Sequence, residues 1–95
     1  MYSIEFSNRF KRSYDLAKKR GLDMEALNSV VKNLAEGNKL EPKYKDHALI
    51  GNYEGCRECH IKPNWLLIYK IVENRCILYL LDTGTHSDIF GKQRK

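Results

Sequence analysis

Three histidines, His47, His60 and His86, are the side chains of this sequence best suited to proton chemistry at neutral pH. Imidazole accepts and donates a proton there without a large pKa displacement, which suits paired acid and base roles. Each histidine falls in a segment that reads as a loop or a strand end, where a rigid scaffold presents functional groups. A lone histidine is more often a hydrogen-bonded structural residue, but three so placed favour a site. Lys43 and Lys45 beside His47, and Arg57 beside His60, are placed to meet a phosphate. Trp65 and Phe90 are the aromatics nearest His60 and His86. Either ring could stack on a base, a contact worth roughly 1–3 kcal/mol, although a core role is open to both. Trp65 heads an apolar run, whereas Phe90 follows the polar Ser87 and Asp88.

The run Cys56-Arg57-Glu58-Cys59-His60 matches C-x-x-C-H, the attachment signature of c-type haem. Haem attachment takes place outside the cytoplasm and calls for a second axial ligand. This chain opens Met1-Tyr2-Ser3-Ile4-Glu5, unlike a basic and then apolar export signal, and Met24 is its only other methionine. Zinc held by Cys56, Cys59, Cys76 and a histidine meets a geometric obstacle, because a strand sends residues three apart to opposite faces. No second C-x-x-C is present. The thiols are therefore expected as small core or edge residues, with no cofactor and no metal. Three is also an odd number, which argues against a closed disulfide framework.

The elements that must position these residues can be read from periodicity. Tyr2, Ile4 and Phe6 alternate with polar residues as in a half-buried strand, and Ser7 or Asn8 can cap a following helix. Phe10, Tyr14 and Ala17 then recur at helical spacing, with Arg9, Lys11, Arg12, Lys18, Lys19 and Arg20 elsewhere around the helix. Gly21 supplies a stop and Asp23 a new cap, and Leu27, Val30, Val31 and Leu34 define a second helix ending at Gly37. Residues 38 to 55 lose periodicity, leaving a loop with at most a short strand around Leu49 and Ile50. Residues 57 to 61 alternate, Pro63 and Asn64 turn the chain, and Trp65 to Val72 reads as a central strand covered on both faces. Glu73 and Asn74 lead to a last strand, Ile77 to Leu81, ended by Asp82, Thr83 and Gly84. Ser87 is a candidate cap for one helical turn reaching Phe90, and residues 91 to 95 read as a frayed tail. The order β-α-α-β-β-β predicts a single α+β domain over residues 1–95, a helical hairpin packed on an antiparallel-rich sheet.

Composition narrows the partners. Ninety-five residues are too few for two cored domains, and no stretch approaches the ~18 apolar residues that cross a bilayer, so no membrane partner and a cytoplasmic location are expected. Seventeen basic residues against twelve acidic ones give a formal charge of +5, which favours a polyanionic partner. The basic run Arg9 to Arg20 is either a solvated helix face or an RNA contact.

Three segments together carry a resemblance: Tyr44-Lys45-Asp46-His47; Arg57 to Lys70, with His60 and Pro63-Asn64-Trp65; and Thr83-Gly84-Thr85-His86 leading to Phe90. The chain resembles the YafQ-type toxins of the RelE superfamily along its whole length. The resemblance implies a RelE-like fold and a messenger-RNA endonuclease that works in the decoding site of the ribosome, held inactive by a cognate antitoxin. It also implies an active site at His47, His60 and His86, with Trp65 and Phe90 at aromatic positions that contact the messenger. Asn64 stands where the family commonly has a catalytic aspartate, and asparagine cannot accept a proton at neutral pH. Asp82 stands where the type member has an arginine, so a positive charge near the reacting phosphate is missing.

The residues present favour metal-free scission of RNA. A base takes the 2′-hydroxyl proton, the oxygen attacks the adjacent phosphorus, and an acid protonates the departing 5′-oxygen. The expected roles are His86 as acid, His60 or His47 as base, Lys45 or Arg57 as the charge on the phosphate, and Asn64 as a positioning group. Two alternatives come from other classes: a non-nucleolytic gyrase-inhibiting toxin of similar fold, and a small basic RNA-binding module.

Overall fold

The computed structural model describes residues 1–91. Five strands and three helices follow one another as β1 (Ser3–Phe6), α1 (Asn8–Lys19), α2 (Met24–Ala35), β2 (His47–Ala48), β3 (Arg57–Lys62), β4 (Trp65–Val72), β5 (Ile77–Gly84) and α3 (His86–Phe90). They form one sheet in the order β1-β5-β4-β3-β2, antiparallel except for the parallel pair β1 and β5. The α+β class and the helical hairpin agree with the sequence reading, which allowed at most a short strand, around Leu49 and Ile50, in the loop that holds β2.

Local chemistry sets the hairpin. Ser7 accepts from the Phe10 amide and Asp23 from the Ala26 amide, satisfying first-turn donors of α1 and α2. Gly21 and Gly37 take the positive φ that ends each helix. Phe10, Ala17, Leu27, Val30 and Leu34 then pack with Cys59, Leu67, Tyr69, Leu78 and Leu80 on one sheet face. A smaller cluster, Cys56, Leu66, Ile68 and Ile89 with Leu49, Tyr53, Leu81 and Phe90, covers the other face. Two covered faces explain why β4 is apolar almost throughout. Cys56 and Cys59 lie in opposite clusters, the divergence expected of residues three apart, and Cys76 is exposed.

Three boundaries depart from the sequence reading. The short strand of the long loop is His47–Ala48 rather than Leu49 and Ile50, because His47 and Ala48 are the residues that pair with Glu58 and Arg57. β5 continues beyond Leu81 to Gly84. Asp82 and Thr83 are tolerated in a buried strand because both are satisfied: Asp82 accepts from Ser13, Arg9 and the Thr83 amide, and Thr83 donates its hydroxyl to the Leu66 carbonyl. The cap of α3 is Thr85, not Ser87, and Thr85 and Asp88 hold each other's amides in a capping box. Gly91 is the C-cap of α3, and residues 92–95 of the expected tail lie outside the described residues.

Candidate active site

The three histidines arrive from three elements: His47 from β2, His60 from β3 and His86 from the first turn of α3. They meet around a carboxylate that the sequence reading did not single out. Glu58 is 4% exposed, and its Oε2 lies 3.3 Å from His60 Nε2, 3.7 Å from His47 Nε2 and 3.9 Å from His86 Nε2. Strand geometry explains the meeting. Glu58 and His60 are two apart on β3 and so share a face, and His47 stands directly across from Glu58 in the β2–β3 register. The signal was present in the sequence as Glu58-x-His60, but it was masked by the C-x-x-C-H reading of the same residues.

Hydrogen bonds outside the cluster orient two of the rings. His47 Nδ1 is 2.8 Å from the Lys45 carbonyl, and His60 Nδ1 is 3.3 Å from the Pro63 carbonyl. A carbonyl only accepts, so each Nδ1 carries the hydrogen and each Nε2 faces the cluster. His60 stands between two acceptors, the Pro63 carbonyl and the Glu58 carboxylate. The Lys45 carbonyl is aimed by that residue's left-handed backbone at φ 51°. The β2 approach is further held by Asp46, whose Oδ1 accepts from Tyr69 Oη at 2.7 Å and from Arg57 Nε at 3.2 Å.

The remaining sequence candidates divide. Lys45 lines a cavity of about 480 Å³ together with His60, Lys43 and Lys62, a basic cleft opening at the histidine cluster. Phe90 is half-buried, edge-on to Tyr53 at 5.3 Å and tilted against His86 at 6.0 Å, and His86 lies 5.8 Å from His60. Arg57 is not beside the cluster. Strand alternation sends it to the face opposite Glu58 and His60, where it pairs with Asp46. Trp65 is 4% exposed within the helix-side core, with its indole N–H donated to Thr83 Oγ1, so its ring has no free face for a base. Asn64 is exposed in the β3–β4 turn and lines a different cavity, beside α1. Asp82 also faces α1, where Arg9 and Ser13 occupy its oxygens.

Glu58, His60 and His86 have donor atoms within 4.8 Å of one another, a set that could hold a metal ion. Two imidazoles and a carboxylate are donors that zinc and copper accept.

Comparisons with known proteins bear on the family and the fold. Residues 2–91 match the family described as the bacterial toxin of type II toxin-antitoxin system, YafQ. The mRNA interferase toxin YafQ of Escherichia coli K12 is 38% identical over 89 residues, covering 93% of this chain and 95% of that protein. A metal-bound toxin from Helicobacter pylori superposes with a TM-score of 0.90 at 43% identity, over 95% of this chain and all of that one. The Escherichia coli DinJ-YafQ complex contains a chain that superposes with a TM-score of 0.88 at 37% identity, over 96% of this chain and all of that one. A match along nearly the whole sequence and a shared architecture lead to one conclusion: the chain belongs to the YafQ family of toxins of type II toxin-antitoxin systems.

Proposed function

We propose that this protein is an mRNA interferase, a ribosome-dependent endoribonuclease that cuts messenger by acid-base chemistry and is held in check by a cognate antitoxin. The observation that carries the reading is the convergence of three imidazoles on one buried carboxylate, that of Glu58. His47 is the base: its Nδ1 hydrogen is held by the Lys45 carbonyl, leaving the Nε2 lone pair for the 2′-hydroxyl proton. The alkoxide attacks the adjacent phosphorus, the P–O5′ bond breaks, and a 2′,3′-cyclic phosphate forms. His86 supplies the proton to the departing 5′-oxygen, with its Nε2 3.9 Å from Glu58 Oε2. His60, held between Glu58 and the Pro63 carbonyl, lies beside the developing charge, and Lys45 meets the phosphate from the basic cleft. Phe90 offers the half-exposed ring on which a base can stack. Trp65 and Arg57 act indirectly, as core and as support of β2.

His86→Ala should lower single-turnover cleavage on programmed ribosomes by roughly 10²–10⁴-fold, the usual contribution of a general acid. Deoxyribose at the scissile position should abolish cleavage, because the nucleophile is then absent. Undiminished cutting in either case would remove the mechanism. Intact messenger accompanied by gyrase-dependent DNA damage would favour the gyrase-inhibiting alternative.

The metal-bound relative supports a second property of the same site. Glu58, His60 and His86 would hold a zinc or copper ion. Such an ion is a Lewis acid, but here it would occupy the nitrogen lone pairs and the carboxylate on which proton transfer depends. Metal binding is thus read as inhibitory.

A further inference from the structure

The cleft of about 480 Å³ beside His60 is more basic than the chemistry at the three histidines requires. The 3-10 turn Pro42–Tyr44 and the residue after it contribute Lys43, Tyr44 and Lys45, the end of β3 contributes His60 and Lys62, and α2 adds Ser29. No carboxylate among the described residues lines it. Three lysines thus share one concavity, whose volume falls within the roughly 300–1,000 Å³ of small-ligand sites.

The backbone brings two of these lysines in from different sides. The β3–β4 register is irregular between His60 and Lys62, as a bulge re-aims a strand residue, and Lys62 Nζ stands 4.0 Å from Asp23 at the start of α2. Lys43 Nζ is 3.8 Å from Glu41 and 5.2 Å from the centre of the Tyr44 ring. Both ion pairs are long and exposed, so they hold little energy in water and a phosphate can replace them. Lys45 makes no ion pair among the described residues, and its carbonyl holds His47 Nδ1 at 2.8 Å.

That last contact gives the cleft a direction. When a 2′-hydroxyl attacks, the base stands at the nucleoside upstream of the cut, which carries that hydroxyl, and the acid stands at the downstream nucleoside, which keeps the 5′-oxygen. His47, the base, is supported by the residue that also lines the cleft. His86, the acid, lies against Phe90 at 6.0 Å. The upstream nucleotide is therefore delivered to the cleft and the downstream one to Phe90.

We propose that Lys43 and Lys62 grip the phosphate immediately upstream of the scissile one, so that the messenger crosses the site from this cleft toward Phe90. The proposal rests on the endonuclease reading above and adds to it two binding residues and a strand polarity. With Lys45 on the scissile phosphate, consecutive phosphates are held by separate lysines, which fixes the register of the strand over the histidines. Lysine is a point charge on a flexible stem and reads no base edge here, so the grip contributes affinity and not codon preference.

The test uses synthetic messengers on programmed ribosomes, each with one phosphate neutralised as a methylphosphonate, either the first upstream of the cut or the first downstream. The cleavage rate is followed against toxin concentration, which separates binding from the maximal rate. Both lysine side chains are exposed, and circular dichroism melts check that the variants fold. The upstream modification should raise the half-saturating concentration of the parent about tenfold and leave its maximal rate in place. Lys43→Ala/Lys62→Ala should show that same rise on ordinary messenger and no further rise on the upstream-modified one, whereas Lys43→Arg/Lys62→Arg should respond as the parent does. A parent indifferent to the upstream modification would overturn the assignment. So would an alanine double variant that remains as sensitive to it as the parent while needing more toxin on every messenger, because the lysines would then meet the ribosome. Sensitivity lost at the downstream phosphate instead would reverse the strand and overturn the polarity. The endonuclease reading survives each of these results, and a parent that cuts no messenger at all would sink both.

Discussion

Glu58 occupies a strand position that a carboxylate takes only when a compensating group lies close, and here three imidazoles supply it. The three Nε2 atoms all face the same oxygen, Glu58 Oε2. Glu58→Gln keeps the side-chain shape and removes the charge. It should reduce cleavage by about 10²-fold, as expected for loss of a proton-transfer partner. The same substitution should weaken zinc binding, read by isothermal titration, because one of three donors becomes a poor ligand. With the parent, added zinc should inhibit cleavage and chelator should restore it. Activity that requires zinc would contradict the acid-base assignment.

At the scale of elements, the position of His86 depends on how β5 hands the chain to α3. Leu81 has no partner in the β4–β5 register, which passes from Tyr69↔Leu80 to Ile68↔Asp82, and the ladder still continues to Gly84. Gly84 has φ +153°, and a Cβ there would stand 2.9 Å from Asp88 Cβ. Asp88 is half of the box that caps α3. Gly84→Ala should therefore displace α3 and with it His86, lowering the melting temperature by several degrees, equivalent to about 1–3 kcal/mol for strain at such a position. Cleavage should fall as well. A variant with parental melting and parental cleavage would show that α3 adjusts freely. The β2 end of the site rests on another element junction, where Asp46 is gripped by Tyr69 and Arg57 from adjacent positions of β4 and β3. That grip gives a two-residue strand a defined place.

For the molecule as a whole, stability at alkaline pH follows from groups buried between the helices and the sheet. Burial, followed by the charges of Asp46 and Glu58, pushes the Cys59 thiol from 9.0 up to about 12. Burial and the hydrogen bond to Asp46 raise the Tyr69 phenol above its ordinary 10.0. Both groups hold their protons more tightly in the folded state, so their contribution is fully present below pH 9 and is lost as the pH climbs toward 12. The urea midpoint should be flat from pH 7 to about 8.5 and fall steadily above pH 9. Tyr69→Phe should fall less steeply over the upper part of that range. A midpoint that rises with alkalinity would have the wrong sign for this account. Among the described residues no helix is long and apolar enough to cross a membrane.

What the amino-acid order determined alone is the part of the protein governed by near neighbours. Ser7 and Asp23 as caps, Gly21 and Gly37 as stops and the apolar run from Trp65 to Val72 are written in contacts a few residues long, so the helical hairpin and the central strand were legible. The Thr85 capping box was equally local and was obscured only by the nearby Ser87. Tertiary structure alone decided which polar residues share a space. Glu58 joined the histidines through a cross-strand register, Arg57 was turned away by the alternation of the same strand, and Trp65 was enclosed by helices that lie far from it in sequence. The physical reason is that a strand's period places every second residue on one face, but which face meets which neighbour depends on pairings between segments that the chain brings together only when it folds.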